Sequence, residues 1–259
     1  MEHSTRSEVG GSRPAPLDVA MGQVPPEELL RLFSERLAGT LLGRPPALAW
    51  DRATPAPIDE PARFSLFEEI LAPDELSELE AYVAAHERRF RKSQVIAQQR
   101  NEGVDDPNHR KSRVLFEVGP VQALIERRLR SCLNQIFRSL DHPPFTVATV
   151  EAQITASNDG EFFRTHNDNT HQVLQTRELT YVLFFHRDPK PFSGGELRLY
   201  DSHVENGRWV AGTRFTSIVP ERNMAIFFPS HFMHEVAVVH CPSLAFTDSR
   251  FTLNGWLHR

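Results

Sequence analysis

The chain reads as a mainly β protein, an antiparallel sandwich or jelly roll supported by N-terminal helices, and three observations predict that class. From about residue 145 the apolar residues fall into short runs rich in β-branched and aromatic side chains, separated by Gly, Pro, Asn and Asp. Before that point the apolar residues recur at helical spacing. Helices followed by a run of strands is the order of a supported sandwich or jelly roll, not of an alternating α/β fold.

Residues 1–24 are rich in Ser, Gly, Pro and charge without an apolar period, which predicts a flexible tail. "PPEELLRLFSERLAGTLLG" (25–43) has Pro at its start, Gly at its end and leucines near helical spacing, so it predicts a helix, and the Pro-rich stretch to residue 61 an extended connector. That helix is read first as ordinary packing, with a homodimer contact or a lid as its other uses. The main domain is expected over 62–259. "RFSLFEEILAPDELSELEAYVAAHERRF" reads as a short strand and then a helix opening at Pro73-Asp74, with Leu76, Leu79, Tyr82 and Val83 on one face. "QQRNEGVDDPNHRKSR" has loop composition. "GPVQALIERRLRSCLNQIFRSL" (119–140) is a second amphipathic helix. Seven strands follow: "FTVATVEAQITA", "ELTYVLFFH", "GGELRLYD", "TRFTSIVP", "NMAIFFP", "HEVAVV" and "SRFTLNGWL". The segments 93–113, 169–178 and 201–213 are read as variable loops.

With 259 residues, 40% of them hydrophobic, the chain can bury a sizeable core as one large domain. A formal charge of −5 and the absence of Lys/Arg runs interleaved with aromatics argue against a nucleic-acid partner. No stretch is apolar enough to span a membrane and the N-terminus lacks a secretory apolar region, so a soluble, cytoplasmic protein is expected. Cys132 and Cys241 are the two cysteines, too few for a disulfide framework and read as reduced thiols.

The chemistry gathers around "FFRTHNDNTH" (162–171), which no helix or strand period explains. His166 and Asp168 alone are a weak signal, but His234 opens the strand "HEVAVV" 66 residues after Asp168. Two His and one carboxylate form the facial triad suited to non-haem Fe(II), with coordination positions left open. In "SRFTLNGWL" a period of two sends Arg250, Thr252, Asn254 and Trp256 to one face. A guanidinium beside a hydroxyl is a receptor for a carboxylate, which predicts an acidic cosubstrate between the iron and Arg250; a solvated strand face is the other reading of Arg250.

As an ordered set, "GEFFRTHNDN", "YVLFFHRDPKPFSGGELRLYD", "AIFFPSHFMHEVAVV" and "RFTLNGWLHR" resemble the 2-oxoglutarate and Fe(II)-dependent dioxygenases, in particular the prolyl-hydroxylase-like (prolyl 4-hydroxylase-type) branch. The resemblance implies a double-stranded β-helix of the cupin-like jelly-roll kind. It implies iron on His166, Asp168 and His234, and 2-oxoglutarate bound through Arg250 and Thr252. It further implies consumption of O2, release of succinate and CO2, and hydroxylation of an sp3 C–H in an amino acid, a peptidyl residue or a natural product, with ascorbate as an accessory reductant. Related halogenases carry a small residue in place of the carboxylate, so Asp168 favours hydroxylation. Two features depart from the pattern: "HCPSLAFTD" lengthens the interval from His234 to Arg250, and Phe184 stands where relatives have a cosubstrate-binding Tyr. Tyr181 takes that role only if the strand register differs.

The competing reading is a cupin-like metal- or ligand-binding module without turnover. A zinc hydrolase is a third, for which the chain offers no general-base carboxylate beside the triad. His231, His171 and His186 are read as loop or strand-edge residues, Asn169 as an orienting partner of Asp168 or a turn cap, and Gly194-Gly195 as a tight turn. Arg110, Lys111 and Arg113 are read as a charged strand edge, with reach to the substrate as the other option.

Overall fold

The computed structural model describes residues 58–96, 103–170 and 174–259; the expected tail, the helix at 25–43 and His171 lie outside them. The strands in chain order are β1 (Ser65–Phe67), β2 (Arg91–Lys92), β3 (Val95–Ile96), β4 (Gly103–Val104), β5 (Arg110–Lys111), β6 (Arg113–Leu115), β7 (Thr149–Ser157) and β8 (Phe162–His166). They continue as β9 (Arg177–Phe185), β10 (Ser193–Gly194), β11 (Leu197–Glu205), β12 (Arg208–Ile218), β13 (Met224–Pro229), β14 (His234–Val236), β15 (Val239–His240) and β16 (Arg250–His258). Two helices, α1 (Pro73–Ala85) and α2 (Pro120–Ser139), precede β7.

A seven-stranded sheet runs β1-β13-β9-β16-β7-β6-β2 and a five-stranded sheet runs β12-β11-β14-β8-β5, with every pairing antiparallel. This is the jelly roll the sequence predicts. Both faces of the larger sheet are covered. On β9, Leu179, Tyr181, Leu183 and Phe185 pack toward the helices, while Val182 and Phe184 pack between the sheets. Burial on both faces explains why "YVLFF" is continuously apolar instead of alternating.

Each helix carries its own start signal. Pro73 takes the first turn of α1 and the Glu75 carboxylate accepts the Ala72 N–H at 2.9 Å, satisfying a donor the helix leaves free. Pro120 opens α2 behind Gly119, whose φ of +52° suits glycine. Leu76, Leu79 and Val83 of α1 and Val121, Ile125 and Leu129 of α2 enter the larger core. Glu75 also accepts from Arg127 and Arg128, tying the helices together.

Three local expectations change. Residues 162–166 are a strand, β8, held between β14 and β5. The stretch 201–213 is no loop: β11 and β12 form a long hairpin turning at Asn206 and Gly207, with φ of 50° and 75°. An Asn-Gly pair is the dipeptide favoured by such turns and was the available signal. Within 93–113, β3 pairs with β4, and the chain crosses from the smaller sheet (β5) to the larger (β6) at Ser112.

Candidate metal centre

His166 ends β8, His234 opens β14, and their Cα atoms are direct antiparallel partners. The next pair is Phe163 with Val236, so Arg164 and Thr165 together oppose Glu235 alone. This is a β-bulge, and its effect is positional: residues three apart, which an even pleat sends to opposite faces, both point inward. The Phe163 and His166 rings therefore stack, with centroids 3.5 Å apart and planes 17° from parallel. The bulge is why 162–166 shows no strand period in sequence.

Asp168 follows β8, where its N–H donates to the Ser230 carbonyl at 3.0 Å. Its Oδ2 accepts the Thr180 hydroxyl at 2.7 Å, and Thr180 is 3.0 Å from the Ser230 hydroxyl. The His166 Nε2 lies 3.8 Å from Asp168 Oδ1 and the His234 Nε2 lies 3.4 Å from Oδ2. One ligand atom from each residue falls within 4.8 Å of the others, the grouping of this kind among the described residues. Each imidazole uses Nδ1 on a backbone carbonyl, His166 on Arg164 at 2.8 Å and His234 on Phe232 at 3.0 Å. Those bonds leave both Nε2 lone pairs converging on one point, the orientation metal-binding histidines take.

The electrostatics keep His166 and Asp168 in their ligating forms. Burial, then the neighbouring His234, hold the His166 pKa well below the ordinary histidine value, so the ring is neutral. Burial alone pushes Asp168 upward, but His234, His166, Thr180 and Trp256 outweigh it and its pKa falls below the usual aspartate value. Two histidine imidazoles and a carboxylate form the set suited to Fe(II).

Arg250 lies on the inner face at the start of β16 and is 2% exposed. Its Nε donates to the Gly195 carbonyl at 2.7 Å, and its Nη2 is buried with no partner. Burial lowers its pKa to about 10, against the opposing pull of Glu196. A buried guanidinium nitrogen without an acceptor is costly, and an entering carboxylate supplies the acceptor. Thr252 is buried one pleat further along the same face, but its hydroxyl donates to Asn254 Oδ1 at 3.2 Å. The long interval before Arg250 does not disturb the register, because residues 241–249 fold outside the strand and Arg250 still pairs with Ser157. Asn158 pins that insertion through Ser249 and the Ala245 carbonyl.

Gly195 is more than a turn residue. Its φ is +69°, its carbonyl holds Arg250, and a Cβ there would lie 2.6 Å from the Arg250 Cδ.

Tyr181 is not brought to this site. It belongs to the helix-side core, and its hydroxyl donates to the Glu151 carbonyl at 2.9 Å. Phe184, an odd number of residues away, faces inward beneath Arg250, 5.1 Å from the guanidinium carbon. Asn169 does not orient Asp168 either, since its amide reaches the Arg177 carbonyl and Thr180 takes the orienting position. His231 is half-buried, stacked 4.3 Å from Trp209 and apart from the triad's donor atoms. Trp256 packs under Arg177, whose guanidinium carbon lies 3.3 Å from its ring centroid, and its indole is among the groups that lower the Asp168 pKa.

Residues 152–258 match the family model of the 2OG-Fe(II) oxygenase superfamily. A Synechocystis protein described as an uncharacterized PKHD-type hydroxylase is 36% identical over 209 residues, spanning 78% of this chain and 69% of its own. Among solved structures, a Pseudomonas putida prolyl-4-hydroxylase covers 76% of this chain and 94% of its own at 19% identity, with a TM-score of 0.51. A Trichoplax adhaerens prolyl hydroxylase, solved with a hypoxia inducible factor peptide fragment, covers 75% and 83% at 17% identity, with a TM-score of 0.54.

Proposed function

Because the chain belongs to the 2OG-Fe(II) oxygenase superfamily, we propose that its iron is held by His166, Asp168 and His234, and its 2-oxoglutarate by Arg250. The protein is a 2-oxoglutarate-dependent hydroxylase that uses Fe(II) and O2. Bound there, iron with 2-oxoglutarate and O2 supplies the oxidising power for an unactivated C–H, while the chain supplies position, dryness and charge. The reading as a cupin-like module without turnover gives way to the hydroxylase.

The observation that carries the assignment is the convergence of two free Nε2 atoms and one Asp168 carboxylate opposite a buried, half-satisfied Arg250. Backbone carbonyls fix the imidazole tautomers, and Thr180 fixes the carboxylate. Gly195 holds one edge of the Arg250 guanidinium and leaves Nη2 for the far carboxylate of 2-oxoglutarate. Thr252 lines the path between them, with its hydroxyl able to turn from Asn254 to the cosubstrate. Phe184 and Phe228, both fully buried, keep water from this wall. The substrate side is an sp3 C–H of an amino acid, a peptidyl residue or a natural-product scaffold, handled by one domain spanning 62–259.

The test is succinate release from 2-oxoglutarate with Fe(II) and ascorbate, run beside equilibrium binding of Fe(II). Wild-type protein binds one iron per chain and releases succinate, and His166→Ala and Asp168→Ala lose both. One-to-one iron binding that persists in both variants sinks the ligand assignment.

A further inference from the structure

Arg110 is the residue that the triad and the cosubstrate leave unexplained. It sits on β5, an edge of the smaller sheet, where its Cα pairs with Phe163 while that of Lys111 pairs with Phe162. The pairing divides the two cations. Phe163 faces inward, stacked on His166, and the Arg110 guanidinium carbon lies 4.5 Å from its ring centroid. Lys111 follows Phe162 on the other side, 5.7 Å from that ring.

The inward guanidinium is poorly compensated. Its Nε donates to the Ser112 hydroxyl at 3.1 Å, and among the described residues no Asp or Glu forms an ion pair with it. The charge bearing on it is Asp168, whose oxygens are already engaged by Thr180 and face both histidines. Desolvation accordingly lowers its pKa to about 10, which leaves it a cation at neutral pH. A partly desolvated Arg against an aromatic face, beside a metal centre and without a carboxylate of its own, is a built receptor for an anion from outside. It is a second cation, distinct from Arg250, which is on β16 of the other sheet.

We propose that Arg110 anchors a free carboxylate on the molecule that is hydroxylated, so that the substrate is a small amino-acid-like acid or a chain presented by its C-terminal carboxylate. This rests on the triad reading, because the anchor matters only if the reacting carbon is held at His166, Asp168 and His234. Phe163 links the two, one face of its ring against His166 and its π-system under Arg110. Neutral, internal peptide segments leave Arg110 without an acceptor and are the disfavoured class.

Two measurements test the proposal. The first compares amino and imino acids with their carboxamide counterparts as stimulators of succinate release by the iron-loaded enzyme. Carboxylates are expected to outperform their amides by about tenfold or more, the discrimination a charge-assisted hydrogen bond gives. In Arg110→Gln that ratio falls toward one, and Arg110→Lys restores part of it. Stimulation by amides or internal peptides equal to that by carboxylates overturns the proposal. So does an Arg110→Gln variant that keeps the ratio but raises KM for 2-oxoglutarate, since Arg110 then serves the cosubstrate. The second measurement requires no turnover. Acetate and acetamide are titrated into protein loaded with Mn(II) and 2-oxoglutarate, and the thermal midpoint is read. Acetate is expected to raise the midpoint of wild type and of Lys111→Gln but not of Arg110→Gln, while acetamide raises none. An equal acetate response in wild type and Arg110→Gln, or none in wild type, overturns the anchor. The two readings fail separately: one-to-one iron binding that survives His166→Ala and Asp168→Ala sinks the triad, whereas an acetate response that survives Arg110→Gln sinks the anchor.

Discussion

The Arg250 Nε donates to the Gly195 carbonyl at 2.7 Å, and a Cβ on Gly195 would fall 2.6 Å from the Arg250 Cδ and 2.9 Å from the Val239 Cγ2. One residue therefore both holds the cation and makes room for it.

Gly195→Ala is expected to displace Arg250. The methyl meets the middle of the Arg250 side chain, and alanine at φ of +69° adds about 1–2 kcal/mol of backbone strain. KM for 2-oxoglutarate should rise about tenfold, the loss from a charge-assisted hydrogen bond, while Fe(II) affinity changes little. Steady-state kinetics across 2-oxoglutarate concentrations, with Fe(II) binding alongside, separate the two effects. An unchanged KM sets the Gly195 role aside.

Thr180→Val keeps the shape and removes the hydroxyl that Asp168 Oδ2 accepts at 2.7 Å. Loss of such an orienting bond costs about 10–100-fold in metal affinity. Anaerobic titration with Fe(II) or Mn(II) should show that weakening. Wild-type affinity in this variant would mean that the Ser230–Asp168 backbone bond suffices to place the carboxylate.

His231 predicts a pH effect of definite sign. Burial, partly offset by Glu60, holds its pKa below the ordinary histidine value, while the unfolded chain titrates near about 6.5. As pH falls below about 6.5 the unfolded state takes up a proton that the folded state resists, so stability is complete above that pH and declines below it. The slope for this one group is at most about 1.4 kcal/mol per pH unit. Urea denaturation at pH 7.5 and 5.5 should show a smaller loss for His231→Gln than for wild type. Because His231 stacks on Trp209, the fluorescence of that indole should report the same titration.

Ile125→Ala opens the helix-side core without touching the inner face. Ile125 is fully buried in α2, and such truncations cost about 2–5 kcal/mol. Thermal or urea midpoints should fall accordingly, with Fe(II) affinity retained below the transition. A matching loss of metal affinity would show that the helices set the geometry of the centre.

Much of the centre was legible in the chain. The strand period in "SRFTLNGWL" puts Arg250 and Thr252 on one face, and the structure places both inward because Phe251 and Leu253 fill the opposite core. The same period separates Tyr181 from Phe184 by an odd step, so Tyr181 could reach the site only through a register shift that the pairing of β9 with β13 and β16 does not contain there. His231 was distinguishable from His234 by the strand that begins at His234. The Asn206-Gly207 hairpin carried a local signal that the polar composition around it obscured.

Period and order along the chain suffice for the class and the cast: a jelly roll with helices ahead of it, and an ordered His, Asp, His and Arg within motifs that resemble an iron and 2-oxoglutarate family. These are properties of period and order, which survive without knowledge of what lies across a sheet. It takes the three-dimensional fold to show that a bulge at Arg164 and Thr165 turns His166 and Phe163 to the same face. The fold likewise shows that Gly195 holds Arg250 and that Arg110 points inward while Lys111 does not. The reason is physical: each depends on a partner strand far away in sequence, and a pleat specifies two faces without specifying which one the rest of the chain will cover.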